Sequence, residues 1–167
     1  AAWASRYVTP GGVPLRTGAQ AGSVVVEETG EHAFQVEVRA GGVRFLADEP
    51  VEVGGAGSGP TPYDLLSAGL GACTAMTLRM YARSKGLPLA RVRATVGHSR
   101  RAGRDPVDLF SRDIRLTGEL SDSQKARLLE IADRCPVHRT LERGARIETA
   151  SDDHKPLPAA DSPARHG

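Results

Sequence analysis

The sequence predicts an α+β fold in the order βββ-α-ββ-α-β, and three observations carry that prediction. Short alternating apolar segments group ahead of one long helical run, two further alternating segments follow it, and a second helix opens on a capping signature before a last short strand. Strands that group in this way argue against a parallel doubly wound sheet, in which strands and helices would alternate. With 167 residues, the chain is about the size of one ordinary domain.

Residues 1–22 are rich in Gly, Pro and small side chains and read as an N-terminal arm, with Trp3, Tyr7 and Val8 available to pack. The folded domain is expected over 23–150. Its first three strands are Val24 to Glu28, the segment carrying Phe34, Val36 and Val38, and Val43 to Ala47. The last two join across Ala40-Gly41-Gly42, a turn whose glycines can take positive φ, so a meander is the simplest topology. Asp48 and Glu49, ahead of Pro50, read as a solvated turn, and the run from Gly54 to Pro62 is too glycine-rich for anything but a loop.

A long helix begins directly after that loop. Thr61 is the N-cap, Pro62 stands at N1, and Asp64 at N3 completes an approximate capping box with its charge near the positive helix end. The helix should reach about Lys85, where Gly86 terminates it and Pro88 prevents continuation. Leu89 to His98 then alternates as a half-buried strand, Ser99 to Val107 is a basic loop, and Phe110, Ile114, Leu116 and Leu120 mark another strand. Ser121 and Gln124 form a second capping box, opening a helix whose Leu128, Ile131, Ala132 and Cys135 share a face. Pro136 ends or restarts it as a short turn through Glu142. A last strand is expected at Ala145 to Ala150, and 151–167 is too polar and proline-rich to pack, so it is expected to be disordered.

Composition removes several function classes. The net charge of +2 is small, and basic residues are scattered apart from Arg100, Arg101 and Arg104, so no nucleic-acid stripe is present. The weakly polar run from Leu65 to Met76 is too short to span a bilayer. No secretory signal pattern opens the sequence, so a cytoplasmic location is expected. Two cysteines do not make a secreted disulfide framework, and in a reducing compartment a Cys pair is more often redox-active or metal-binding than structural.

Those two cysteines are the chain's main chemical signal. Cys73 has Leu66, Leu70, Met76 and Met80 as its helical neighbours, so it faces the apolar side, where a cysteine ordinarily packs as a small hydrophobe. Gly69, one turn earlier, stands where Ala would favour the helix by up to about 1 kcal/mol, which points to something coming close there. Cys135 precedes Pro136 and reads as an N-cap, with the amides of Val137 and His138 pointing at its sulfur, a setting that lowers a thiol pKa. Cys73 lies about three turns inside its helix, beyond the reach of the helix end, so local structure favours Cys135 as the thiolate. Cys135 and His138, with Cys73 or His98, are the only metal-ligand combination in view, and they lack the second matched pair a zinc site needs. A Cys–His nucleophile pair with His32, His98 or His138 is not selected by any spacing. No cofactor motif is present.

The stretch ADEPVEVGGAGSGPTPYDLLSAGLGACTAMTLRMYARSKGLPL, followed by CPVHRTLE, resembles the OsmC/Ohr family of osmotically inducible and organic hydroperoxide resistance proteins, closer to its OsmC-like branch. The resemblance covers roughly residues 23–150. It implies an intertwined α+β homodimer, with two long helices at its centre and active sites at the subunit interface. It also implies that Cys73 attacks an organic hydroperoxide and becomes a sulfenic acid, that Cys135 resolves it as a disulfide, and that a lipoyl-type or other dithiol reopens the bond. The family assignment thus reverses the order that local capping gives the two thiols. A disulfide closing a loop of roughly 60 residues would contribute roughly 4 kcal/mol if unstrained.

Two positions depart from the family's peroxidases, which carry N-P-E-[EQ]-L before the helix, the first Glu orienting an active-site Arg. Here Tyr63 occupies the Glu position and Asp64 is turned about 100° around the helix, where capping explains it. The Arg has no unambiguous match, leaving Arg16, Arg39 and Arg44 as candidates. The other functions compatible with the sequence are thiol chemistry on a different small apolar electrophile and a non-catalytic binding or structural dimer whose cysteines pack.

Overall fold

The computed structural model describes residues 22–150; the predicted tail, Arg16 and all but the last residue of the predicted arm lie outside the described residues. The strands β1 (Val24–Glu28), β2 (Val36–Ala40) and β3 (Val43–Ala47) form one antiparallel sheet in that order. The long helix α1 (Pro62–Ser84) follows, then a second antiparallel sheet of β4 (Leu89–Arg100) and β5 (Asp108–Gly118), and then helices α2 (Asp122–Ala132) and α3 (Pro136–Arg143). The fold is α+β.

Both predicted capping boxes form. Thr61 Oγ1 accepts from the Asp64 amide at 3.1 Å, while the Asp64 carboxylate accepts from the Thr61 amide at 2.9 Å. Ser121 and Gln124 do the same for α2. These caps fix where α1 starts, and so which of its faces meets the sheet behind it. Over its 23 residues α1 is a rod of about 35 Å.

The main core lies between α1, the inner face of β4–β5, and α2. Leu78 and Ala82 of α1 meet Leu89, Leu120, Leu128, Ile131 and Ala132, with Val92, Ile114 and Leu116 packed around them. Alternation along β4 and β5 places these strand residues inward and Arg91, Arg93 and Arg115 outward, as the period of two requires.

The first sheet is two-faced. Register puts Val24, Ala40 and Val43, then Val26, Val38 and Phe45, on one side, and Glu27, Glu37, Arg39, Arg44 and Leu46 on the other. Val38 is buried, yet Val24, Val26 and Val43 are each more than half exposed. Among the described residues, an apolar sheet face is therefore left uncovered.

Three expectations are corrected. Asp48 is not in a solvated turn: it is buried, and its carboxylate accepts from the amides of Glu49, Ala56 and Ser58 and from the Ser58 hydroxyl. Burial by itself would push this carboxyl up, but those four donors hold it below the usual range. A single turn of 3₁₀ helix at Val51–Val53 follows, and Asp48 thus organises the glycine loop instead of facing water. Second, β4 runs on to Arg100, and β2 starts at Val36 and leaves Phe34 in the preceding turn. Third, Ala145 to Ala150 forms no strand. Gly144 ends α3 at φ 76, and beyond it the segment pairs with no strand among the described residues, so Ile147, the apolar residue meant to anchor the strand, is 87% exposed.

Candidate functional site

Cys73 and Cys135 meet in a second, smaller apolar cluster. Cys73 is on α1, with Leu70 one turn before it; Cys135 is at the corner where α2 gives way to α3; Val96, Phe110, Val137 and Leu141 close the cluster. Both are free thiols and both are buried. A proline at N1 makes Cys135 the N-cap of α3, as expected from its sequence, and its own amide bonds back to the Ala132 carbonyl at 3.3 Å.

The corner is held by a residue the sequence did not single out. Arg112 reaches inward from β5, and its Nη1 donates to Thr74 Oγ1 at 2.8 Å and to the Ala132 carbonyl at 3.3 Å, while Nη2 donates to Asp133 Oδ1 at 2.9 Å. It ties the helix next to Cys73 to the chain next to Cys135. Alternation along β5 puts Arg112 on the inward face, the one signal in the sequence that marks it as unusual.

The donors at the start of α3 do not serve the cysteine expected. Cys135 makes no side-chain cap hydrogen bond; the Val137 amide at the start of α3 acts instead on the Cys73 thiol, as do the Cys135 thiol and the Thr77 hydroxyl. The packing of α3 against α1 therefore carries the helix N-terminus to the thiol that lies deep inside its own helix. Burial pushes the Cys73 thiol up to about 11, and Cys135 adds to the rise; the Val137 amide and Thr77 pull it down.

This displacement has a sign that can be tested. Between the ordinary thiol value of about 9 and the folded value of about 11, the unfolded chain gives up the Cys73 proton while the folded one keeps it. The associated stability is fully present below pH 9 and is lost as pH rises toward 11. Urea unfolding of the reduced protein at pH 7 and pH 10 should show wild type losing about 1 kcal/mol more than Cys73→Ala over that interval.

The remaining predicted residues fall elsewhere. Tyr63 stacks face to face on His98, with ring centres 4.0 Å apart and planes 9° from parallel; His98 Nε2 lies 2.8 Å from Asp108 Oδ1, and Phe110 flanks the imidazole. This aromatic stack borders the cysteine cluster through Phe110. Asp64 is committed to the cap, where the Thr61 amide and hydroxyl hold its carboxyl low. Arg39 pairs with Glu27 and Glu37, and Arg44 with Glu37, on the polar face of the first sheet. The structure brings neither to Cys73. Among the described residues no three His, Cys, Asp or Glu side chains are grouped to hold a metal ion, and no helix is long and apolar enough to cross a membrane.

A depression of about 270 Å³ between α1 and β4, whose lining runs from Asp64 to Ala72 on the helix and includes Ala94 and Val96 on the strand, has only Val96 in common with the cysteine cluster. The thiols themselves are enclosed by apolar side chains.

Comparison with known proteins agrees with this architecture. The family described as OsmC-like protein matches residues 55–150. Among solved structures, a Psychrobacter arcticus 273-4 protein assigned to osmotic stress and detoxification response is 21% identical, with a TM-score of 0.61 over 77% of this chain and 91% of that one. An OsmC-like protein from Mycoplasma pneumoniae is 20% identical, with a TM-score of 0.58 over 72% and 84%. An organic hydroperoxide resistance protein OsmC from Legionella pneumophila is 24% identical, with a TM-score of 0.54 over 71% and 88%. At these identities the likeness is one of fold. No curated protein matches the chain in sequence.

Proposed function

The chain belongs to the OsmC-like family, and we propose that it reduces organic hydroperoxides with the thiols of Cys73 and Cys135. The observation that carries this reading is their meeting: two cysteines on different elements, far apart in sequence, are buried together in one apolar cluster. The name of the Legionella pneumophila structure, an organic hydroperoxide resistance protein, supports the same substrate class.

The Cys73 thiolate attacks the outer peroxide oxygen; an S–O bond forms, the O–O bond breaks, and the alkoxide leaves as the alcohol after taking a proton. Cys135 then attacks the sulfenic sulfur, and water leaves as the disulfide forms. A dithiol, lipoyl-type or other, takes the disulfide's place in oxidation state and restores both thiols by exchange. Leu70, Val96, Phe110, Val137 and Leu141 surround the sulfurs with apolar surface, which favours an alkyl or aryl hydroperoxide over hydrogen peroxide. A reducing cytoplasm is the setting this cycle needs.

The working unit in this reading is a homodimer. Among the described residues, Leu66, Met76 and Met80 are roughly half exposed along α1, Gly69 between them faces open space, and the valine face of the first sheet is also uncovered. A second copy would bury both surfaces. One observation favours the competing reading, in which the cysteines merely pack: within the protomer Cys73 is held as a neutral thiol at pH 7.

Consumption of cumene hydroperoxide by the reduced protein, with excess dithiol present, decides between them. Catalytic turnover, faster than with hydrogen peroxide, is the expected result. No consumption above the dithiol background would leave the packing reading standing.

A further inference from the structure

Thr74 and Thr77 sit one turn apart on α1 and behave differently. Thr74 Oγ1 donates to the Leu70 carbonyl four residues back at 2.8 Å, the usual way a helical threonine satisfies itself, and accepts from Arg112. Thr77 could turn in the same way to the carbonyl of Cys73. It does not: its Oγ1 is fully buried and has no hydrogen-bond partner at full geometry. It is the sole buried side-chain oxygen or nitrogen among the described residues in that condition.

A hydroxyl left without an acceptor inside a protein is costly, and in a native fold it calls for an explanation. Thr77 lies at i+4 from Cys73, the spacing at which two side chains of one helix meet. Its hydroxyl, like the Val137 amide, draws the Cys73 thiol down, though it makes no full hydrogen bond to the sulfur. A neutral thiol is a weak acceptor, so the hydroxyl gains little from it. A thiolate is a strong acceptor, with room for both donors.

We propose that Thr77 is a catalytic residue of the Cys73 site, its hydroxyl donating to the Cys73 thiolate. The proposal rests on Cys73 being the reacting thiol. The helix holds Thr77 in a state that is unsatisfied while Cys73 is protonated and satisfied when the proton leaves, so the strain of the orphaned hydroxyl is relieved by the ionisation that catalysis needs. Other groups facing the sulfur are the Cys135 thiol and the apolar Leu70, Val96, Phe110 and Leu141. Arg112, the charged side chain that reaches Thr74 beside this site, is spent on Thr74, the Ala132 carbonyl and Asp133, and the His98–Asp108 pair lies beyond Phe110.

Thr77→Val keeps the shape and removes the hydroxyl; Thr77→Ser keeps the hydroxyl. The readout is the 13Cβ resonance of Cys73 in reduced, 13C-cysteine-labelled protein, which reports ionisation whether or not a reagent reaches the sulfur. Thr77→Val should move the Cys73 titration about one pH unit higher and lower the peroxide rate at fixed pH about tenfold, with Thr77→Ser close to wild type on both. The same Thr77→Val protein should melt no lower than wild type, because the lost group was unsatisfied. A merely structural threonine would show the reverse pattern, a lower melting temperature with the titration unmoved. An unmoved titration in Thr77→Val overturns the proposal even if the protein consumes peroxide. A titration that moves as expected, in a protein that consumes no peroxide, upholds the Thr77–sulfur contact, removes the word catalytic, and refutes the peroxide reading instead.

Discussion

Cys73→Ser should reduce cumene hydroperoxide consumption by about 10³-fold or more, to the background of the dithiol alone, because the serine hydroxyl neither ionises nor attacks an O–O bond at neutral pH. Cys135→Ser should behave differently. With no second thiol to attack it, the oxidised Cys73 should persist as a sulfenic acid, seen as a gain of about 16 Da on the Cys73 peptide or as a dimedone adduct. The asymmetry tests the assignment of roles, since the opposite pattern, with a sulfenic acid on Cys135 in the Cys73→Ser protein, would exchange them. The amide at the start of α3, which local reading gives to Cys135, acts on Cys73 and draws its thiol down.

The second large effect is on stability. A Cβ placed on Gly59 would lie 2.2 Å from the carbonyl oxygen of Leu46 and 2.9 Å from Ala47 Cα; one on Gly55 would lie 1.9 Å from the Glu49 carbonyl oxygen. Both neighbours are backbone and cannot turn aside. Gly59→Ala should therefore force the loop off β3, destabilising the fold by about 3 kcal/mol or more and lowering its melting temperature by about 10 °C. Thermal unfolding followed by circular dichroism checks it. An unchanged melting temperature would mean that the loop does not lie against β3 as described. The loss should extend to chemistry, because this loop leads directly into the cap of α1, the helix that carries Cys73.

The same loop shows what could be read from the sequence and what could not. Its glycines identify it as a loop, but the reason for them is the close approach of strand β3 and the buried Asp48 carboxylate, which gathers four donors from Glu49, Ala56 and Ser58. An acid before a proline looks like a surface turn because sequence periodicity carries no information about which backbone amides will turn inward. Helix ends were legible to the residue at Thr61, Ser121 and Cys135, since capping is a local matter of one side chain and the next few amides. The expected strand at Ala145 to Ala150 failed for the opposite reason. Alternation says that a segment can pair, and pairing requires an edge brought near by the rest of the fold.

At the cysteines, the sequence marked both residues and the family resemblance ordered them. Their environment was hidden. Thr77 reads as an ordinary helical threonine, and Arg112 as a polar residue in a half-buried strand, until α1, β5 and the α2–α3 corner are packed together. Tyr63, in place of an expected acid, stacks on His98 instead of orienting an arginine, and Arg39 and Arg44 face away with their glutamates. Among the described residues, the groups that draw the Cys73 thiol down are a backbone amide and a hydroxyl.

The central claim is that Cys73 and Cys135 act as one redox pair. Reduced protein treated with one equivalent of cumene hydroperoxide, digested without reductant and examined by peptide mass spectrometry should show a species joining the Cys73 and Cys135 peptides, about 2 Da lighter than their sum. Loss of the free peptides should match the peroxide consumed. Both cysteines recovered as unmodified thiols, with the hydroperoxide intact, would contradict the account.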